Sequence, residues 1–213
     1  VSARLVVLSS PSGTGKTTIA RRILAARDDV AFSVSATTRP PRPRERDGRD
    51  YHFLSRDEFV ARRDRGEFLE WAAYGDHLYG TLRASVDTVL AAGRHVLLDI
   101  EVQGAAQVRT HRDDVVTIFV LPPSAEVLLR RLRGRGSEGP SQVAARVARA
   151  RRELEEATRY DHVVVNDVLE RAVAAVDAII DGRPAETVPP QQVEQRVEEL
   201  RRHLAADVIA KER

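Results

Sequence analysis

The chain has 213 residues, with 34 lysines and arginines against 32 aspartates and glutamates, a formal net charge of +2 and no cysteine. So near a balance argues against a general nucleic-acid binder, which would carry a larger basic excess, and the missing cysteine excludes disulfides, thiol nucleophiles and thiolate metal sites. No run approaches the ~20 apolar residues of a membrane span and no charged-then-apolar leader opens the sequence, so a soluble cytoplasmic protein of one domain with an insertion is expected.

The first element is a continuous apolar run, Leu5-Val6-Val7-Leu8, which reads as a buried strand. Ser10-Pro11-Ser12-Gly13-Thr14-Gly15-Lys16-Thr17 leaves it and enters a helix marked by Ile19, Ile23 and Leu24. Strand, glycine turn and helix in that order form the context of a phosphate-binding P-loop. Gly13 and Gly15 let successive backbone N–H groups face an anion, and the helix adds the positive end of its dipole. Lys16 is expected to reach the terminal phosphates, and the Thr17 hydroxyl to meet a magnesium ion. Ser10 stands where the usual pattern begins with glycine. Lys16 and Lys211 are the only lysines, so an arginine-rich chain has kept a lysine in this loop. A compact ammonium fits between phosphates where a planar guanidinium does not.

Next comes a short strand-like run, Ala31 to Val34, and then Ser35 to Arg44, where prolines at 40, 41 and 43 predict an extended loop displaying arginines. Asp47-Gly48 is a turn, Tyr51-His52-Phe53 a strand, and Ser55 the cap of a helix running to Arg65 with Gly66 as its stop. Residues 67–81 are strand-like and broken at Gly75. Residues 35–81 together predict a β-rich insertion.

An α/β rhythm then resumes. A helix over 84–92 is closed by Gly93, and the strand His95–Asp99 ends in an acid at the carboxyl end where such sheets bind ligands. Val115–Leu121 is a further strand, and Ser124 caps the helix that carries Arg130, Arg131, Arg133 and Arg135 into a break at Gly134, Gly136 and Gly139. A second helix from about Ser141 carries Arg146 and Arg149 on one face. Two arginine-bearing helices around a glycine break have the pattern of a lid. His162–Asp167 closes the sheet, and a helix follows to about Ile180. After a proline-bounded linker, Val193, Val197, Leu200, Leu204 and Val208 fall on one face of a last helix, expected to dock on its own domain or on a second subunit.

The accumulated motifs resemble those of the guanylate kinases over residues 4 to about 180. The resemblance is carried by the P-loop, Ser33-Val34-Ser35-Ala36-Thr37-Thr38-Arg39, Arg42, Asp47-Gly48-Arg49-Asp50-Tyr51, Glu67-Phe68-Leu69-Glu70-Trp71-Ala72 and Tyr79-Gly80-Thr81. It continues through Leu98-Asp99-Ile100-Glu101-Val102-Gln103-Gly104, Gly134-Arg135-Gly136 and Val165-Asn166-Asp167. It implies an α/β P-loop kinase core with a central parallel sheet flanked by helices, over 1–34, 82–126 and 156–182. A GMP-binding insertion would cover 35–81, a helical lid 127–155, and a linker with an amphipathic helix 183–213.

Carried over by position, Arg39, Arg42, Tyr51 and Tyr79 would hold the phosphate of GMP, while Ser35, Glu70, Thr81 and Glu101 read its guanine. Thr81 replaces a frequent serine and Glu101 a frequent aspartate. Ser12, Gly13, Thr14, Gly15, Lys16, Thr17, Thr18, Arg131, Arg135 and Asn166 would bind ATP, with Asn166 near the adenine. Lys16, Arg39, Arg135, Arg146 and Asp99 would serve catalysis, and Mg²⁺ would sit on Thr17, with Asp99 acting through water. The implied partners are ATP and GMP, with no nucleic acid or membrane. Two alternatives stay open: a non-catalytic phosphopeptide-binding module, and a P-loop kinase for another phosphorylated small molecule. Residue by residue, exposed arginine faces and solvated proline-rich loops are the plainer reading of the same side chains.

Overall fold

The computed structural model describes residues 2–134 and 140–209. In chain order its elements are β1 (Leu5–Ser9), α1 (Lys16–Ala26), β2 (Val30–Phe32), β3 (Ala36–Thr37), β4 (His52–Phe53), α2 (Arg56–Asp64), β5 (Phe68–Tyr74) and β6 (His77–Leu82). They continue with α3 (Arg83–Ala91), β7 (His95–Asp99), α4 (Val102–His111), β8 (Val115–Leu121), α5 (Ala125–Arg133) and α6 (Pro140–Glu155). A 3-10 turn (Glu156–Arg159), β9 (His162–Val165), α7 (Leu169–Ile180) and α8 (Pro190–Ile209) complete the order.

A five-stranded sheet has the order β2-β7-β1-β8-β9, with β2 parallel to β7 and β8 parallel to β9. Strands covered on both faces should be apolar without alternation. Leu5 to Leu8 and Ile118 to Leu121 are accordingly at most 1 % exposed. The chain forms two compact units, Val1–Val7 with Ala26–Val116, and Leu8–Ala25 with Thr117–Arg213.

The first unit holds a four-stranded sheet in the order β4-β3-β6-β5. β5 and β6 form an antiparallel hairpin turned at Gly75, whose φ of 59° suits glycine, and the register shifts between Phe68 and Glu70. Ser55 caps α2 by accepting the Glu58 N–H at 3.1 Å, which sets Phe59 against Phe68 with ring centroids 4.4 Å apart. Ala36, Leu78 and Leu82 complete this small core.

Two elements differ from the sequence reading. The segment expected to be loop from Ser35 contains β3, whose Ala36 and Thr37 are fully buried between β4 and β6; the prolines end it rather than forbid it. α4 was not expected at all, because Gly104, Gln107 and His111 interrupt its apolar stripe of Val102, Ala105 and Val108.

In the second unit, Ser124 caps α5 through the Val127 N–H. α8 packs against α5, α6 and the 3-10 turn. Val193, Val197 and Leu200 are each 5 % exposed and Leu204 is fully buried, and Arg201 pairs with Glu155 and Glu198. Of the two expected docking partners for this stripe, the chain's own helices are the ones it covers. The expected lid break falls partly outside the described residues, which include Gly134 but not Arg135, Gly136 or Gly139.

Candidate active site

The second unit presents the phosphate loop. β1 is buried throughout, so the chain leaves it at a fixed point and turns through Gly13 and Gly15, with φ of 89° and 99°. A Cβ at Gly15 would lie 2.6 Å from Asn166 Nδ2, so conformation and close approach both require glycine there. The loop is held from outside by its carbonyls. Asn166 Nδ2 donates to the Thr14 carbonyl at 2.7 Å and Arg131 Nη1 donates to the same oxygen at 3.0 Å. Because the peptide unit is planar and trans, a fixed Thr14 carbonyl aims the Gly15 N–H the opposite way.

Lys16 opens α1 and is half-buried, while Thr17 and Thr18 are exposed on its first turn. The Ser12 N–H donates to Glu153 of α6 at 3.3 Å. A cavity of about 590 Å³ is lined by Gly13, Gly15, Thr18, Arg131, Gly134, Asn166, Asp167 and Leu169, a size that suits a nucleotide-sized ligand. Arg146 lies on α6, with Nη1 donating to the Leu132 carbonyl at 2.7 Å near the end of α5. Arg135 lies outside the described residues.

The first unit presents two clusters. One is cationic and aromatic. Arg39 Nη2 lies 2.9 Å from both carboxylate oxygens of Glu45, and its guanidinium sits 5.4 Å from the centre of the Tyr51 ring. Tyr51 meets Tyr79 edge to face at 6.2 Å, and the Arg42 N–H donates to Glu45 at 2.7 Å while its side chain is exposed. Arg39 thus lies between Glu45 and the Tyr51 ring, with Tyr79 against Tyr51 and the Arg42 backbone on Glu45.

The other cluster is a buried carboxylate. Glu70 is 8 % exposed, and the Thr81 hydroxyl donates to its Oε1 at 2.6 Å. Burial pushes the Glu70 carboxyl above the ordinary range, and the bonds from Thr81 pull part of the way back. The Thr81 proton is committed to Glu70, so that hydroxyl has only its lone pairs left to offer. Ser35 is half-buried just before β3, Glu101 is exposed at the start of α4, and Asp99 ends β7 half-buried.

The family model for guanylate kinase matches residues 2–183. The chain belongs to the guanylate kinase family. Family membership extends to close sequence relatives. The guanylate kinase of Symbiobacterium thermophilum is 49 % identical over 184 residues, covering 86 % of this chain and 87 % of the relative. That of Thermotoga maritima is 44 % identical over 191 residues, with 90 % and 92 % covered. Among solved structures, the guanylate kinase from Anaplasma phagocytophilum aligns with a TM-score of 0.64 at 31 % identity, covering 90 % of this chain and 93 % of that one. The chain is thus an enzyme of this family.

Sequence reasoning passed over Glu45, Gln107 and Glu153. Glu45 had a visible signal, being the lone acid between Arg39 and Arg46. Glu153 and Gln107 act across 141 and 36 positions of sequence, and no local pattern marks them.

Proposed function

We propose that the enzyme transfers the terminal phosphoryl group of ATP to the phosphate of GMP, giving ADP and GDP. The observation that carries this reading is the buried Glu70 carboxylate, held by Thr81 on the same hairpin that presents Tyr79. Guanine offers two adjacent donors, its ring N1–H and exocyclic amine, which a fixed carboxylate can accept together. Ser35 and Glu101 complete the base contacts in this reading.

Arg39, Arg42, Tyr51 and Tyr79 bind the GMP phosphate. A phosphate monoester is largely ionised at neutral pH, its second pKa being about 6, so its oxygen attacks without a general base. A bond forms from that oxygen to the γ-phosphorus, and the bond from the γ-phosphorus to the bridging oxygen of ADP breaks. Catalysis is then positioning and charge neutralisation. Gly13 to Thr18 cradle the ATP phosphates, Lys16 bridges them, and Arg131, Arg135 and Arg146 supply further positive charge. Asn166 shapes the ATP side through its bond to Thr14.

The Thr17 hydroxyl, exposed on the first turn of α1, suits a magnesium ion that takes one or two protein oxygens and otherwise phosphates and water. Thr17 would hold it, with Asp99 acting through water, and the ion would neutralise phosphate charge. Both nucleotides being intracellular metabolites, we infer a cytoplasmic location.

The test is ADP release measured across nucleoside monophosphates. A site built to accept from guanine rejects analogues lacking its donors by about 10⁴- to 10⁵-fold. GMP should therefore be the best acceptor, IMP, which lacks only the amine, intermediate, and AMP very poor. Comparable turnover of GMP and AMP would overturn the reading.

A further inference from the structure

α4 meets β5 through one helical face. Gly104, Gln107 and His111 are three and four residues apart, the spacing that stacks side chains along a helix. Gln107 uses both ends of its amide: the Trp71 N–H donates to Oε1 at 3.0 Å, and Nε2 donates to the Trp71 carbonyl at 2.9 Å. His111 Nδ1 lies 2.9 Å from the Leu69 carbonyl, and donates to it in the tautomer that carries the Nδ1 proton. Leu69 is the residue around which the β5–β6 register shifts, and such bulges re-aim a neighbouring side chain.

The residue between Leu69 and Trp71 is Glu70. A Cβ built at Gly104 would stand 2.8 Å from Glu70 Oε2 and 3.3 Å from its carboxyl carbon. Gly104 is buried in a helix with ordinary helical backbone, where glycine is the poorest residue after proline. The helix gains nothing from glycine at this position; the carboxylate gains its place. Thr81 holds one carboxylate oxygen, the bare backbone of Gly104 admits the other, and the strand on either side is tied to α4.

We propose that Gly104, Gln107 and His111 are positioning residues for guanine recognition: α4 sets the depth and aim of the Glu70 carboxylate, and through it the selectivity among purine monophosphates. The proposal rests on Glu70 reading the base, as argued above. None of the three residues touches GMP in this account. They act through Glu70, so their effect falls on the acceptor nucleotide and not on ATP.

The experiment is steady-state kinetics of the full chain with GMP or IMP at saturating ATP, for Gly104→Ala, Gln107→Met and Glu70→Gln, together with Gly104→Ala in a Glu70→Asp background. Gly104→Ala and Gln107→Met should raise the KM for GMP about 10- to 100-fold, the scale of a 1 Å misplacement, narrow the preference for GMP over IMP, and leave the KM for ATP within about twofold. Aspartate is one methylene shorter and leaves room for the added methyl, so Gly104→Ala should cost clearly less in the Glu70→Asp background. Equal cost in both backgrounds, or parallel rises in the KM for GMP and ATP, would overturn the proposal. Gln107→Glu keeps the acceptor for the Trp71 N–H and should fall between wild type and Gln107→Met, which keeps the test informative if Gly104→Ala folds poorly. If Glu70→Gln leaves the KM for GMP unchanged, the base-reading role itself fails. If Glu70→Gln weakens GMP and the α4 variants do not, only the positioning role fails.

Discussion

Arg39 is clamped by Glu45, one guanidinium nitrogen 2.9 Å from each carboxylate oxygen. Its other terminal nitrogen donates to the Pro40 carbonyl at 2.8 Å, and the side chain is only 12 % exposed. Glu45 also receives the Arg42 N–H, so a single carboxylate holds the Arg39 side chain and the Arg42 backbone. An arginine has five donors in a rigid fork, so the clamp leaves donors for a phosphate while fixing where they point. Preorganisation is expected to outweigh competition between the two anions. Glu45→Ala should raise the KM for GMP about tenfold with the KM for ATP unchanged. Tighter GMP binding in the variant would mean that Glu45 competes with the substrate instead of orienting its receptor.

The raised carboxyl of Glu70 has two consequences of opposite sign. For stability, both folded and unfolded chains are protonated below the usual value of about 4.3. As pH rises above that value the unfolded chain ionises first, so stability declines up to the native value and the penalty is constant beyond it. For binding, the ionised form is the one that accepts from guanine, so GMP affinity falls as pH drops through the same window. The ratio of KM for GMP between Glu70→Gln and wild type should therefore shrink on acidification, the titration of GMP itself cancelling in the ratio. A pH-independent ratio would remove the Glu70 charge from base recognition. At neutral pH the amide should not lower the melting temperature, because it relieves a buried charge.

Gly15 and Lys16 are neighbours with different duties. Gly15→Ala puts a methyl 2.6 Å from Asn166 Nδ2 in a backbone region that alanine avoids, so it should disturb the Asn166–Thr14 bond and lower both melting temperature and ATP affinity. Lys16→Ala removes charge without moving the loop, and should cut turnover by about 10²-fold or more with melting temperature unchanged. Calorimetry beside single-turnover kinetics separates the two; a Lys16→Ala enzyme with more than a tenth of wild-type activity would exclude the bridging role.

α8 lies beyond the family match, which ends at residue 183, yet it is part of the folded second unit. Leu204 is fully buried, and Leu204→Ala should cost about 2–5 kcal/mol. For a chain of this size that lowers the melting temperature by several degrees at about 2–4 °C per kcal/mol. Ending the chain after Gly182 should cost more, since α5 and α6 would lose their cover. Scanning calorimetry that found the shortened chain as stable as the whole would contradict the packing described.

Strands and caps were legible wherever the pattern was local. β7 and β8 were read to the residue, Ser55 and Ser124 were recognised as caps, and the phosphate loop stood out by its glycines and lysine. β3 was missed because two residues carry no periodicity, and only pairing with β4 and β6 makes them a strand. α4 was missed for a related reason: the residues that spoil its apolar stripe are those that contact β5. The bond from Asn166 to the Thr14 carbonyl has no local signal, since it spans 152 positions of sequence.

β5 is the last strand of its sheet, and a terminal strand offers its outward amide and carbonyl groups to any passing peptide. The amide of Gln107 occupies both such groups of Trp71, and His111 occupies the carbonyl of Leu69. A primary amide is a peptide group in miniature, so Gln107 stands in for the missing neighbouring strand. At Leu69 and Trp71 the edge of the hairpin is thereby already paired. A change at position 107 thus carries a liability in concentrated solution, self-association through an uncovered edge, which dilute kinetic assays would not reveal.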